Sequence, residues 1–327
     1  MLIARAPLRV SFLGGGTDFP EYFQDHGGAV LASAIDKFSY VTASTFYSHL
    51  FNYSMRLSYS QSELVKTVDE IKHPVFRECL RYCGYGKDIE LHTVADLPAF
   101  TGLGSSSSFT VALLQALHAF KGEYVTPIQL AYEAIHIERN VLKECVGVQD
   151  QTTAAIGGFN VLEFRAIDDI RVHALPLSPR RMEEINTHIF MIFTGITRRA
   201  HDMESQKIQK IGINKEHLHR LRAMVDEGYA MLVSGQSLAA FGELLHQGWV
   251  LKRNLDSKVS NPEIDELYDR ARAAGAWGGK LLGAGGGGFL LFLVPPENRA
   301  KVAAALAHKH EVKVTLRAPG SQVIFAG

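Results

Sequence analysis

Residues 98–120 constrain this chain more than any other stretch: Pro-Ala-Phe-Thr-Gly-Leu-Gly-Ser-Ser-Ser-Ser-Phe-Thr-Val-Ala-Leu-Leu-Gln-Ala-Leu-His-Ala-Phe. A strand-like run, Ile89–Ala95, leads through a turn at 96–98 into two glycines and four serines. The apolar spacing that follows predicts a helix from about Ser105 to Phe120. Glycine lets the backbone approach a ligand closely, and the first N–H groups of a helix have no partner within it. Those donors and the positive end of the helix dipole together suit phosphate oxygens. The serine hydroxyls add further donors and one candidate metal ligand. A Gly/Ser loop that merely caps a helix is the plainer alternative, and four consecutive serines before an apolar helix favour the anion site.

At 327 residues the chain is long enough for two domains with sizeable cores. Lys plus Arg and Asp plus Glu both number 34. That balance argues against nucleic acid or an anionic membrane as a partner held by bulk electrostatics, so local groups must meet any anionic substrate. No apolar run approaches a membrane span, and residues 1–7 lack a signal peptide's apolar stretch. Cys79, Cys83 and Cys145 form neither a disulfide framework nor a paired zinc pattern. The expectation is a cytoplasmic, thiol-reduced protein, with self-association left open.

In chain order, a β-prone segment over 6–13 ends at Gly14-Gly15-Gly16-Thr17-Asp18, which sets Asp18 just past a strand end, before a short helix over 19–24. Arg9 stands between Leu8 and Val10 in that strand, where a guanidinium often meets a carboxylate or phosphate. One or two strands are expected over 28–45 and another over 52–58, then one or two helices over 63–82 interrupted at Pro74. Helices fit 127–142 and 148–155, and strands fit 157–164 and 170–175. This half therefore reads as α+β without a regular βαβ repeat, and residues 176–181 are the best boundary. The second half opens with a strand over 188–193. Helices follow near 200–210, 215–234 and 238–251, with another from Asn261-Pro262. Strands over 278–282 and 289–294, a helix over 296–308, and strand-like 312–316 and 323–325 complete a small two-layer domain.

Residues 283–288, Gly-Ala-Gly-Gly-Gly-Gly, formally satisfy the dinucleotide fingerprint, but that motif needs a helix after it and here a strand follows. They read instead as a glycine-rich hairpin, with the option that it packs against 102–108 and leaves room for a nucleotide's phosphates. No P-loop lysine motif or protein-kinase Asp-Phe-Gly occurs. The catalytic candidates lie on 135–151: Glu138 amid apolar residues on a predicted helix, and Asp150 near the start of the next. Phosphoryl transfer needs a metal to neutralise phosphate oxygens and a group to orient or deprotonate the acceptor. Taken singly, Glu138 reads as an exposed helix residue and Asp150 as a helix cap; the assembly makes the catalytic case.

Three segments together, 6–19, 98–108 and 280–288, resemble the GHMP small-molecule kinases, the superfamily of galactokinase, homoserine kinase, mevalonate kinase and phosphomevalonate kinase. The opening, Ala-Pro-Leu-Arg-Val-Ser-Phe-Leu-Gly-Gly-Gly-Thr-Asp-Phe-Pro-Glu-Tyr, looks most like D-glycero-D-manno-heptose 7-phosphate kinases. Galactokinases have Glu-His where this chain has Gly15-Gly16, which disfavours galactose. The resemblance implies an α+β fold of two domains: 1–176, ribosomal S5-like with a left-handed βαβ unit, and 183–327, ferredoxin-like. It further implies that Gly102, Leu103, Gly104, Ser105, Ser106, Ser107 and Ser108 cradle ATP, that Ser106 and Glu138 hold Mg²⁺, and that Asp150 with Arg9 is catalytic. For a sugar or sugar phosphate it implies Asp18 with Gly15, Gly16 and Thr17, and Gly285 and Gly286 of the late turn. A substrate phosphate calls for cations, for which Arg198 and Lys252 are the candidates, with Arg199 and Arg253 beside them. Lys280 serves either the nucleotide or the surface. Two alternatives stand beside a heptose kinase: another sugar 1-kinase, acting on fucose or a hexuronic acid, and a non-catalytic sugar sensor.

Overall fold

The computed structural model describes residues 1–197, 214–256 and 258–327. Its first sheet is built on two long strands, β1 (Leu2–Leu13) and β2 (Gly28–Thr45), paired antiparallel. β2 is one strand serving two neighbours. Its first residues pair with β6 (Phe159–Ala166) and its last with β5 (Ile89–Ala95). β5 runs parallel to β3 (Met55–Ser58), which forms a hairpin with β4 (Ser62–Val65). β7 (Asp169–Ala174) extends the sheet beyond β6. The second sheet contains β8 (Ile189–Phe193), β9 (Gly278–Leu281), β10 (Phe289–Leu293) and β11 (His310–Glu311). All its pairings are antiparallel and its order is β11-β8-β10-β9, the fourth-first-third-second arrangement of a ferredoxin-like layer.

The helices of the first half are α1 (Pro20–His26), α2 (Pro74–Tyr82), α3 (Ser105–Phe120), α4 (Pro127–Ile135) and α5 (Gln149–Ile156). Those after it are α6 (Pro179–His188), α7 (Lys215–Val233), α8 (Leu238–Leu255), α9 (Pro262–Ala273) and α10 (Arg299–Ala305). Local chemistry sets several starts. Thr126, Ser178 and Asn261 each accept a backbone N–H of the first turn, with proline in that turn. α3 packs on β1, β2, α4 and α5, so Val111, Leu113, Leu114 and Leu117 are all buried on what would otherwise be different faces. No helix among the described residues is long and apolar enough to cross a membrane.

Three expectations change, and a fourth goes untested. Only 74–82 of the stretch 63–82 is α-helical. Residues 62–65 pair with β3, and the buried Glu63 carboxylate accepts the N–H groups of Lys72 and His73 just ahead of α2. Residues 312–316 form no strand; Leu316 alone bridges to Ile35. The helix expected over 296–308 is a 3₁₀ turn followed by the shorter α10. The helix expected over 200–210 lies outside the described residues.

Residues 175–188, which include α6, separate the two sheets, yet the chain does not stay in the second. β12 (Gln322–Ala326) returns to pair with β1. The largest apolar cluster likewise joins both halves: Leu13 and Leu31 of the first sheet meet Leu221, Val225, Leu245 and Leu282 of the second half. This shared core clamps the two layers together and fixes the cleft between them.

Candidate active site

The serine turn is held open by glycine. Gly102 and Gly104 have φ of +81° and +72°, in the left-handed region that side chains avoid. A Cβ on Gly102 would come 2.5 Å from the carbonyl oxygen of Leu282, and one on Gly283 would come 2.3 Å from the Gly102 Cα. The glycine run 283–288 therefore rests directly on the serine turn, backbone against backbone. Ser108 N–H makes the first internal bond of α3, to Gly104 O at 2.9 Å. The amides of Ser105, Ser106 and Ser107 precede it in the first turn, and no side chain caps them. Leu103 is buried and its carbonyl accepts the Arg9 N–H. The hydroxyls divide: Ser108 donates inward to Ala6 O and Ser107 to Glu138, whereas Ser106 is exposed.

Glu138 sits in a π-helical turn, His136–Val141, that continues α4; such turns re-aim one side chain and recur at functional sites. Its carboxylate is fully buried and accepts from Ser107 Oγ (2.8 Å), Thr110 Oγ1 (2.7 Å) and the Gln151 amide. Burial pushes its pKa up to about 7, against the opposing effect of those three donors. No cluster of three or more His, Cys, Asp or Glu side chains able to hold a metal occurs among the described residues. A lone carboxylate with hydroxyls around it still fits Mg²⁺, which takes few protein oxygens and shares the rest of its shell with phosphates and water.

Asp150, in the first turn of α5, faces Arg9 of β1. The guanidinium binds it through two parallel bonds of 2.7 Å, from Nε and Nη2, and its third arm reaches Gly102 O at 2.6 Å. One arginine thus ties the acid to the serine turn. Gly104 supplies the clearance, since a Cβ there would lie 3.1 Å from Asp150 Oδ2. Asp18 is buried beside this pair and accepts from Gly16 N and Gln149 Nε2, both at 2.9 Å. Desolvation, then the charge of Asp150, push its pKa up.

Arg9, Asp18 and Asp150 line a cleft of about 960 Å³, counted out to its open mouth, whereas residues 102–108 and Glu138 lie outside its lining. Arg9, Ser11, Gly15, Gly16, Asp18, Gln149 and Asp150 come from the first half; Asn214, Leu218, Lys252, Asp256, Val259 and Lys280 come from the second. Lys280, left undecided by sequence, is inside it, buried and bonded to Phe12 O at 2.8 Å. Lys252 lies there too, bonded to Gly283 O at 2.6 Å. Some expected contacts turn elsewhere. Thr17 is buried away from the cleft, its hydroxyl on Gly14 O and Ala29 O. Gly285 and Gly286 pack on Val259 instead of the cleft wall, and Arg253 pairs with Asp265. Arg198 and Arg199 lie outside the described residues. Sequence reading missed Ser11 and Gln149. Strand alternation from Arg9, and adjacency to Asp150, were the signals that could have found them.

Comparison with known proteins gives the family and the fold. The family profile described as GHMP kinases N terminal domain matches residues 64–158, and that described as GHMP kinases C terminal matches 229–312. A Campylobacter jejuni D-glycero-alpha-D-manno-heptose 7-phosphate kinase is 30% identical over 92% of each chain. The crystal structure of a D-glycero-D-manno-heptose 1-phosphate kinase from Bacteroides thetaiotaomicron superposes with a TM-score of 0.80, at 24% identity and with both chains fully covered. Lactococcus lactis galactokinase, solved with galactose, has the same fold at 18% identity, with a TM-score of 0.75 over 98% of this chain and 94% of its own.

Proposed function

Because this chain belongs to the GHMP kinases and is a sugar kinase of that family, we propose that it transfers the γ-phosphoryl of ATP to the anomeric C1 hydroxyl of D-glycero-D-manno-heptose 7-phosphate or a related heptose. The observation that carries this reading is the Arg9–Asp150 pair, set between an uncapped helix start and a cleft lined by both halves of the chain. The amides of residues 105–107 bind the phosphate chain, with the glycine turns leaving room for its approach. Asp150 orients the acceptor hydroxyl and takes its proton as the bond to phosphorus forms; in a loose transition state, orientation is the larger part. Arg9 stays bidentate on Asp150 and offsets charge gathering on the transferred group. Asp18 positions sugar hydroxyls, and Lys252 meets the distal phosphate of the acceptor.

Glu138 and Ser106 would hold Mg²⁺; Ser107, which already donates to Glu138, is the neighbouring choice. When bound, the ion supplies charge neutralisation for the β- and γ-phosphate oxygens. The test is a coupled ADP-release assay over heptose 7-phosphate, free heptoses, mannose, fucose and a hexuronic acid, with phosphorus NMR of the product. Heptose 7-phosphate should give the highest kcat/KM and a new anomeric phosphate resonance. A higher value for fucose would reassign the substrate, and sugar binding without any ADP release would leave a sensor.

A further inference from the structure

Two buried polar atoms in the cleft have no hydrogen-bond partner among the described residues: Ser11 Oγ and Gln149 Oε1. Their residues are 6% and 9% exposed, and both line the cleft beside Asp18 and Asp150. Buried polar groups are almost always bonded, so two orphans on one wall mark a place where a ligand completes the network.

The chemistry of that ligand follows from the atoms. The Gln149 amide is fixed in orientation, because its Nε2 donates to Asp18 Oδ2; Oε1 therefore remains, and it can only accept. Ser11 stands two residues beyond Arg9 on β1, hence on the same face, and its hydroxyl can both donate and accept. Arg9 pairs with Asp150, whereas Asp18 accepts from Gly16 N and Gln149 Nε2, and the charge of Asp150 contributes to raising its pKa. A carboxylate placed on this wall would be a third anion, whereas a neutral hydroxyl donates to Gln149 and bonds Ser11 at no such cost.

We propose that Gln149 and Ser11 are specificity-determining residues that read neutral hydroxyls of the acceptor, selecting a polyol ring over a carboxylic acid. This rests on the kinase reading above, with this cleft as the acceptor site. A site that hydrogen-bonds a substrate hydroxyl rejects analogues lacking it far more strongly than an apolar pocket could.

The experiment compares the parent enzyme with Ser11→Ala and Gln149→Leu on heptose 7-phosphate and its monodeoxy analogues. Each variant should lose about 10–100-fold in kcat/KM for the intact sugar, chiefly through KM, with the KM for ATP unchanged. The decisive readout is coupling: the deoxy analogue that the parent rejects should suffer no additional loss in the variant lacking its partner. A purely structural role would lower all sugars together and leave the order of preference intact, and that result in both variants would overturn the proposal. Ser11→Ala removes a single atom and stands as the independent arm should Gln149→Leu disturb Asp18. If the parent refuses heptose 7-phosphate but phosphorylates fucose or mannose, the proposed substrate falls while the same comparison proceeds on that sugar's deoxy series. If it phosphorylates only a carboxylic-acid acceptor, or no acceptor in the panel, both fall.

Discussion

Glu138 and Asp150 lie twelve positions apart, both face the serine turn, and they have opposite surroundings. Glu138 is wholly buried among a hydroxyl pair and an amide, with no cation bonded to it among the described residues, and burial pushes its pKa up to about 7. Asp150 keeps 24% of its side chain exposed and is clasped by a guanidinium through two bonds. Identical chemistry is thus prepared for different tasks. Asp150 has its positive charge built in and an open side toward the cleft. Glu138 has its hydrogen bonds built in and lacks only a positive charge, which suits a residue that receives a metal with the nucleotide.

The comparison breaks most decisively at Asp150. Replacing it as Asp150→Asn keeps the shape and one of the two bonds from Arg9 but removes the charge and the proton acceptor; kcat should fall about 10²–10⁴-fold. Nucleotide affinity, measured by equilibrium binding, should barely move, and near-parental turnover would exclude Asp150 from the chemistry. Arg9→Lys comes next. Lysine cannot form the paired bonds or hold Gly102 O at the same time, so kcat should drop about 10–100-fold with the sugar KM less affected. Glu138→Gln should leave that pair intact and instead raise the Mg²⁺ concentration for half-maximal rate by about tenfold or more. An unchanged Mg²⁺ titration would move the ion elsewhere.

The smallest effect is a pH dependence in the metal-free protein. Because the folded pKa of Glu138 is raised above the unfolded value, its contribution to stability is fully present below the ordinary carboxyl value of 4.5 and is lost as pH rises through about 7. In chelator, the parent's thermal midpoint should therefore fall between pH 5 and pH 8 by ~2–5 °C more than that of Glu138→Gln. Parallel curves for the two proteins would show that burial of this carboxylate carries no such penalty.

Much of this site was legible from residue order. The strand Ile89–Ala95 and the helix Ser105–Phe120 appear with the bounds expected of them, because turn glycines, capping geometry and a long apolar period are local signals. Glu138 and Asp150 were candidates from their place on a predicted helix and near the start of the next, but only the family resemblance gave each a role, and the burial of Glu138 was not legible. The hairpin at Ser62–Val65 was not legible. It is four residues long, and Glu63 makes its buried contacts with Lys72 and His73, nine and ten positions away. Nor was the fate of each serine, since whether a hydroxyl points to Glu138, to Ala6 O or outward depends on what lies across from it.

By itself, then, the sequence determined where the chain turns, where a helix offers bare amides, and which acids stand near them, since these follow from φ preferences, capping and periodicity along neighbouring residues. Tertiary structure decided the rest. It brought Arg9 to Asp150 across 141 positions and Lys280 to Phe12 across 268. It also sent β12 back to β1, laid the second glycine turn on the first, and left two polar atoms on the cleft wall unbonded. Contacts between residues so far apart in the chain depend on how two sheets share one core, and no local preference encodes that.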